Sequence, residues 1–469
     1  MAALLVALPF QVAAHDDAVA NEKIRLLERQ VQALEERLRR LEGGAAAVVQ
    51  PAPVLPEAEQ PQVAQAATDA PPADPAEVVA SNVVTQAIAD GDIKESHQLL
   101  TRDALLSNDF PGSWPMFGTD LRMKVGGYIK TDFVADFDGT RDPTQFLMRT
   151  IPARGQADYG DDGYTDFFAK ETRFNLDVRR VVPGSVPLRG FIEGDFFSDG
   201  EQFRLRHAYV SAGDYIIGKT WTTLSFLESL PFMIDFAAGD ALFGGRAAQV
   251  RYQTELNDQW KMSLAVEDMP FLGIENAFDL PGKATKKMPV LAARADYHWD
   301  SGLLLLGASA SELNWDGGSA GPSDSALQYA LIVGGRQNIG SRTFVTWNAT
   351  YTDGAGENIM AFAGTGANAV LGPDGKLDTI PALAVVLGGG YDWTSTLSSN
   401  ASFAYGWLDT PDTRDPESLK RGGIAHLNLV WRPAKHISTG AELMWGKTRL
   451  QNDAAGDAAR MQFMAKFEF

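Results

Sequence analysis

The sequence predicts an all-β fold: a transmembrane antiparallel β-barrel of about 16 strands, preceded by an α-helical coiled coil. Three observations support this prediction. Apolar and polar residues alternate along many segments between residues 121 and 469. Long and short connections between these segments alternate along the chain. The chain ends on an aromatic residue, Phe469, which closes the last alternating segment.

The last eleven residues show the alternation most clearly. The odd positions from Ala459 to Phe469 are all apolar, whereas the even positions are mostly polar, for example Arg460 and Lys466. Successive side chains of a strand point to opposite faces, and a barrel wall meets lipid on one face and a wet lumen on the other. A soluble edge strand can also alternate, but it rarely ends the chain on an aromatic residue. The stretch resembles the C-terminal signature of bacterial outer-membrane proteins, and this resemblance implies that Phe469 is the assembly signal.

Composition excludes several other classes. Of the 469 residues, 45% are hydrophobic, yet the chain has no apolar run of about 20 residues, which argues against a helical membrane protein. The chain has no cysteine, which excludes disulfides, a thiol nucleophile and cysteine metal sites. The net charge of −19 argues against a nucleic-acid partner. No metal site or cofactor is predicted.

The N-terminal segment, residues 1–14, is predicted to be a signal peptide. Residues 2–14 are apolar except Gln11, and the small residues at positions 12–14 fit a cleavage site. The basic residues that normally precede such a core are missing. Either the translation start lies further upstream or the segment has another role.

Residues 15–44 are predicted to form a periplasmic coiled coil. Apolar residues recur at spacings of three and four and fill the core positions of three heptads. These core residues are Ile24, Leu27, Val31, Leu34, Leu38 and Leu41. A parallel coil would pair Lys23 with Glu28 and Arg37 with Glu42 of another copy, which implies an oligomer without deciding between a dimer and a trimer. A lone amphipathic helix on a surface is the alternative.

Residues 45–110 are predicted to be a periplasmic linker with short helices at most, and residues 111–469 the barrel. Seven prolines fall between Pro51 and Pro75, and such a composition does not form a packed core. Within the barrel, long connections are predicted near 138–163, 223–244, 269–288 and 354–379, and short ones near 181–187, 212–213, 256–258, 300–301, 339–340 and 433–435. Long external loops and short periplasmic turns are typical of outer-membrane barrels. A soluble β-sandwich would not need so many strands in series.

Several short motifs resemble the DcaP-type porins, a family of trimeric outer-membrane channels with an N-terminal coiled coil. The motifs are Phe110-Pro111-Gly112-Ser113, Gly126-Gly127-Tyr128, Glu193-Gly194-Asp195-Phe196-Phe197, Arg204-Leu205-Arg206-His207-Ala208-Tyr209 and Gly218-Lys219-Thr220-Trp221-Thr222. The resemblance implies sixteen strands, a homotrimer in the bacterial outer membrane, and diffusion of small anionic solutes that include dicarboxylates. Outer-membrane lipid and lipopolysaccharide would surround such a barrel.

The predicted lumen face of the first six strands carries ten basic residues and six acidic ones. Rings of Arg or Lys line anion pores, and a guanidinium binds a carboxylate through two hydrogen bonds. The candidates for a substrate path are Arg204, Arg206, Arg251, Arg173, Arg189 and Lys219. Arg204 and Arg206 should share the inner face, with Phe203, Leu205 and Tyr209 on the outer one. Alternatively, the arginines pair with the carboxylates and brace the wall.

The connection at residues 223–245 is too apolar for an ordinary external loop. It is predicted to fold into the pore and constrict it, with Glu228, Asp235 and Asp240 as its charged residues. Burial at a subunit interface is the alternative.

No enzyme is predicted. The Gly-x-Ser-x-Gly pattern is absent, and His207 and His298 have no evident serine partner. In the first long loop, Asp158, Asp161, Asp162 and Asp166 could bind a divalent cation, but a solvated acidic loop is favoured. The alternative function is a structural tether or adhesin with a closed lumen.

Overall fold

The computed structural model describes residues 110–469 except 117, 181–185, 238, 269 and 270. The predicted signal peptide, the coiled-coil core from Ile24 to Leu41 and nearly all of the linker lie outside the described residues. Over the described residues, no helix is long and apolar enough to cross a membrane.

The described part of the chain contains twenty-two strands and five short 3-10 helices. The strands are β1 (Trp114–Pro115), β2 (Leu121–Asp136), β3 (Tyr164–Phe168), β4 (Arg173–Arg180), β5 (Leu188–Asp195), β6 (Arg204–Ala212), β7 (Tyr215–Trp221), β8 (Arg246–Glu255), β9 (Trp260–Glu267), β10 (Ile274–Glu275), β11 (Lys283–Thr285), β12 (Val290–Trp299), β13 (Gly302–Asp316), β14 (Asp324–Ile339), β15 (Thr343–Asp353), β16 (Ala369–Leu371), β17 (Leu377–Thr379), β18 (Pro381–Asp392), β19 (Leu397–Leu408), β20 (Leu419–Ala434), β21 (Ile437–Leu450) and β22 (Ala455–Glu468). The 3-10 helices are Met148–Thr150, Asp199–Glu201, Leu227–Ser229, Gly356–Asn358 and Met360–Phe362.

The strands form a closed antiparallel barrel. Each wall strand pairs with the next in the chain, and β22 pairs with β2 from Tyr128↔Glu468 to Asp136↔Arg460. Both β3 and β4 pair with β2, so together they make one interrupted wall strand. Counted in this way, the described wall has sixteen strands, as predicted. The remaining short strands, β1, β10, β11, β16 and β17, are additions to this wall or to its loops.

The two faces of the wall differ as the alternation predicts. On β2, Ile129 and Phe133 are exposed on the outer face, whereas Lys130 and Asp132 are buried inside. On β22, Phe463 and Phe467 face outward and Arg460 is buried. The backbone N–H of Phe469 donates to the carbonyl of Gly127 at 3.0 Å, so the last residue continues the closure of the barrel.

A bulge in β6 overturns one prediction. The register between β5 and β6 shifts after Glu193↔His207, because Leu205 then pairs with Gly194. Arg206 is the extra residue, and both it and His207 are buried inside the barrel. The alternation therefore changes phase at Arg206. The prediction that Tyr209 faces outward is wrong, since it lies inside with 4% of its surface exposed.

Apolar packing fills one side of the barrel interior. Three connections of the described chain enter the barrel here: the one after β2, the one between β7 and β8, and the one after β15. They bring Phe146, Phe226 and Phe362, all fully buried, against wall residues such as Ile332 and Ile424. The core of the protein thus lies within the barrel, against the inner face of β13, β14 and β18–β21.

Candidate solute pathway

A cavity of about 470 Å³ lies between the charged part of the wall and the connection at residues 222–245, hereafter the inserted loop. The inserted loop contributes apolar side chains, among them Leu230, Phe232 and Phe236. The wall contributes basic side chains from β4, β6, β7 and β8, which are Arg173, Arg204, Arg206, Lys219 and Arg246. The carboxylates that line the cavity are Glu171, Asp235 and Glu357.

Arg204 and Arg206 project inward, as predicted, but both are paired. Arg204 donates to both oxygens of Asp195, at 2.8 and 2.7 Å. Arg206 bridges Glu193 at 2.8 Å and Asp195 at 2.9 Å. The side chain of Arg206 is 4% exposed and that of Arg204 is 33% exposed. Arg206 therefore braces the wall, whereas Arg204 keeps one side open to the cavity.

Arg189 and Arg173 differ in their position relative to the cavity. Arg189 is buried and donates to Asp177 at 3.0 and 2.9 Å and to the Tyr209 hydroxyl at 2.8 Å. It lies outside the cavity lining and braces the wall. Arg173 lines the cavity and lies 3.5 Å from Glu171, which also pairs with Lys130.

Arg251 belongs to a separate charged cluster at the base of the inserted loop. Its guanidinium donates to the Trp221 carbonyl at 2.6 Å and lies 3.7 Å from Glu267. Glu267 also accepts from the backbone N–H of Thr223 at 2.6 Å. Arg251 is not brought next to Arg204 and Arg206, and it holds the loop base rather than the cavity.

The pairing of β6 with β7 ends at Ala208↔Lys219, and we call the unpaired stretch beyond this pair the opening. Beyond it, β6 pairs with β5 and β7 pairs with β8. His207 Nδ1 and Thr220 Oγ1, 3.0 Å apart, bridge the two strands at the start of this opening.

Lys219 and Arg246 line the cavity beside this opening. The register puts Lys219 on the same face as Ala208 and Ala248, the outer one, and so departs from its predicted lumen face. Arg246 stacks on Trp221, with 4.4 Å from guanidinium to ring centroid. Its Nη1 is buried without a hydrogen bond among the described residues. Sequence reasoning missed Arg246 because it follows the long connection directly and has outer-face parity.

The acidic residues of the inserted loop hold the loop in place. Asp235 accepts from the backbone N–H groups of Phe146 and Ala237, and Asp240 from that of Met148 at 2.7 Å. Burial raises the pKa of Asp235 to about 7 and that of Asp240 to about 6. Glu228 lies 3.8 Å from Arg294. Of the three, only Asp235 borders the cavity in the described structure.

The four aspartates of the first long loop do not gather into a cation site. Asp158 pairs with Arg141. Among the described residues, no group of three or more His, Asp or Glu side chains is arranged to hold a metal.

A closed barrel with lipid-facing apolar residues outside and charged residues inside defines an outer-membrane β-barrel channel. Residues 107–469 match the DcaP outer membrane protein family, which is more than half of the chain. The chain belongs to this family of bacterial outer-membrane channels, which are not enzymes.

Solved structures show the same fold. The outer membrane channel DcaP of Acinetobacter baumannii is 19% identical, with a TM-score of 0.66 over 76% of this chain and 100% of that chain. An anion-selective porin from Comamonas acidovorans is 13% identical, with a TM-score of 0.50 over 74% of this chain and 100% of that chain. A comparison with curated proteins finds no match.

Proposed function

We propose that this channel lets small anionic solutes such as dicarboxylates diffuse passively across the outer membrane. The observation that carries the proposal is the lining of the cavity, where five basic side chains face three carboxylates. The Comamonas acidovorans porin of similar fold is described as anion-selective, which agrees with this assignment.

The carboxylates of the lining contribute less negative charge than their number indicates. Burial raises the pKa of Asp235 to about 7, so this carboxyl is only partly charged near neutral pH, and burial raises the pKa of Glu357 in the same direction. Glu171 is already paired with Lys130 and Arg173. The lining therefore has more basic than acidic side chains, five against three.

Two of the lining cations are the first candidates for binding the solute. The Nη1 of Arg246 has no hydrogen bond among the described residues, and Arg204 is paired with Asp195 but one third of its side chain is exposed. A charged hydrogen bond contributes about 1.5–3 kcal/mol, which concentrates an anion while still letting it leave. The inserted loop narrows the passage from the opposite side.

Reversal potential in a planar bilayer under a potassium chloride gradient tests this function. The wild-type channel should prefer chloride, and Arg204→Gln should shift the reversal potential toward cations and reduce succinate flux. Arg180→Gln is a matched control, because the Arg180 side chain is 37% exposed and paired with Asp120 outside the cavity lining. A cation-selective wild-type channel, or equal shifts in both variants, would refute the proposal.

The second part of the proposal is a homotrimer whose N-terminal segments form a parallel coil in the periplasm. A helix of about 20 residues is marginal alone, so the apolar heptads of residues 23–42 need neighbouring helices. Leu34→Cys should give an oxidative cross-link of dimer size from the intact oligomer. Lys23→Cys, outside the core positions, should cross-link less. An oligomer with no cross-link at Leu34 would reject the coil.

A further inference from the structure

Three basic residues stand together on the outer face of β20 and β21, near the end of the wall that carries the long loops. Arg421 pairs directly with Arg449 across the two strands, so their side chains share one face. Lys447 lies two residues before Arg449, about 7 Å away on the same face. The outer face is identified by the neighbouring exposed residues Trp445 and Leu427. We call Arg421, Lys447 and Arg449 the basic patch.

The acidic partners of this patch are few. Arg449 lies 3.4 Å from Asp453, on the turn at the end of β21. Asp457 of β22 stands opposite Lys447 in the register. Over the part of the chain that the structure describes, neither Arg421 nor Lys447 forms an ion pair. Like charges directly opposite on one sheet face are destabilising, so the Arg421–Arg449 pair calls for an anion between its guanidinium groups.

The basic patch lies at the level expected for a membrane–water interface. Trp431, half exposed on the same outer face, lies ten residues from Arg421 near the other end of β20. A tilted strand crosses the hydrocarbon core in about 9–11 residues. If Trp431 marks one interface, as tryptophans in barrels do, Arg421 reaches the headgroups of the opposite leaflet.

The surface between these two levels is apolar. Leu427 and Leu429 of β20 and Leu443 and Trp445 of β21 are all exposed there. Trp407 of β19 is the cross-strand neighbour of Arg421 on the same face. The basic patch therefore lies directly above a surface that accepts acyl chains.

We propose that the basic patch binds the phosphate group of an outer-leaflet lipid, whose acyl chains lie on the apolar face of β20 and β21. Arg421 and Arg449 hold the phosphate oxygens between them, and Lys447 adds a third positive charge. A phosphate suits this arrangement because guanidinium groups bind it through paired hydrogen bonds. This site is on the outer wall and does not depend on the solute preference of the lumen.

The test is binding of bisphosphorylated lipid A to the full-length oligomer in detergent, followed by native mass spectrometry. The wild type should retain lipid A, and Arg421→Gln/Arg449→Gln should bind it at least about ten-fold more weakly, which corresponds to about 1.4 kcal/mol. Arg421→Lys/Arg449→Lys should retain most of the binding. Lys283→Gln/Lys287→Gln is the matched control, since both lysines are exposed in the connection between β9 and β12, at the same barrel end and away from the patch.

Two further arms identify the source of the phosphate. Dephosphorylated lipid A should bind the wild type weakly, and millimolar inorganic phosphate should not displace bound lipid A. Binding unchanged in the Arg421→Gln/Arg449→Gln variant, equal loss in the control variant, or equal retention of dephosphorylated lipid would overturn the proposal. Full displacement by inorganic phosphate would show a site for soluble anions instead. Dissociation of the oligomer in the glutamine variant, with the barrel still heat-modifiable on a gel, would assign the patch to a subunit interface and also overturn it.

Discussion

The inner wall of this barrel has two sides, which accommodate their buried side chains in different ways. On the charged arc, the inner face of β4–β9, arginines are buried against carboxylates such as Asp177, Glu193 and Asp195. On the packed arc, the inner face of β13, β14 and β18–β21, apolar side chains are covered by inserted connections. The packed arc buries apolar surface and excludes water, whereas the charged arc leaves a cavity beside its cations. One barrel thereby fills one side of its lumen and leaves a cavity on the other.

The difference is visible in how the inserted loop is attached. Toward the packed arc it buries Leu224 and Phe226 completely. Toward β21 it donates two backbone N–H groups to Glu442, from Ile234 at 2.7 Å and Asp235 at 3.2 Å. Toward the charged arc it presents Phe236, which stacks over Arg204 and Arg206. The loop is therefore held from one side and forms the cavity wall on the other.

The largest expected effect comes from unpairing the charged arc. Arg206→Ala leaves Glu193 without its guanidinium and removes one of the two partners of Asp195. Breaking such a buried pair costs about 3–5 kcal/mol. We expect this loss in the free energy of unfolding, measured by urea titration in detergent. Adding Glu193→Gln should recover part of it, and Arg180→Ala, at an exposed pair, should cost at most about 1 kcal/mol.

A change in the packed arc should loosen the loop and widen the path. Leu224→Ala removes a side chain that is 1% exposed in the apolar core, and such a change costs about 2–5 kcal/mol. Single-channel conductance should rise and become noisier, while anion preference remains. Leu327→Ala, on the outer face and 66% exposed, is the control that should conduct like the wild type. Unaltered conductance with Leu224→Ala would mean that the loop is held elsewhere.

A smaller effect should follow from pH, through the buried carboxyls of the inserted loop. His426, Glu442 and Arg460 face Asp235, and Arg149 and His426 face Asp240. Burial raises the pKa of these aspartates to about 7 and about 6, so the folded loop binds more protons than the unfolded chain between about pH 4 and 7. Their contribution to loop attachment is therefore complete below pH 4 and falls as the pH rises toward 7.

The measurement is conductance between pH 5 and 8. Open-channel noise should grow across this range in the wild type, because the loop becomes less firmly held as Asp235 ionises. Asp235→Asn cannot ionise and should flatten the profile. A profile that keeps its slope in this variant would assign the titration to another group.

Much of the fold follows from the sequence because strand alternation is local. The apolar and polar faces of β2 and β22, the closure at Phe469 and the entry of an apolar loop into the barrel were all predictable from neighbouring residues. The inward and outward positions along β6 were not predictable in this way. A bulge at Arg206 depends on the pairing with β5, which alternation within one segment does not encode.

The residues of the candidate solute pathway were predictable only in part, because strand alternation is a local signal. Inward arginines could be found from parity, but whether each is paired depends on strands far apart in the chain, as with Arg206 and Glu193. Lys219 and Arg246 line the cavity although their parity is that of the outer face. The pairing of β6 with β7 ends beside them, and no local pattern signals that end. The coiled-coil core remains a prediction, since it lies outside the described residues.

The central claim is that solutes pass along the charged arc while the packed arc stays dry. Because the chain has no cysteine, single cysteines at two positions can test it directly. Arg204→Cys faces the cavity, whereas Ala384→Cys lies in the apolar core of the packed arc. A small anionic methanethiosulfonate added to the open channel should modify Arg204→Cys and reduce its current, and should leave Ala384→Cys unmodified. Rapid modification of Ala384→Cys, with Arg204→Cys unreactive, would contradict the account.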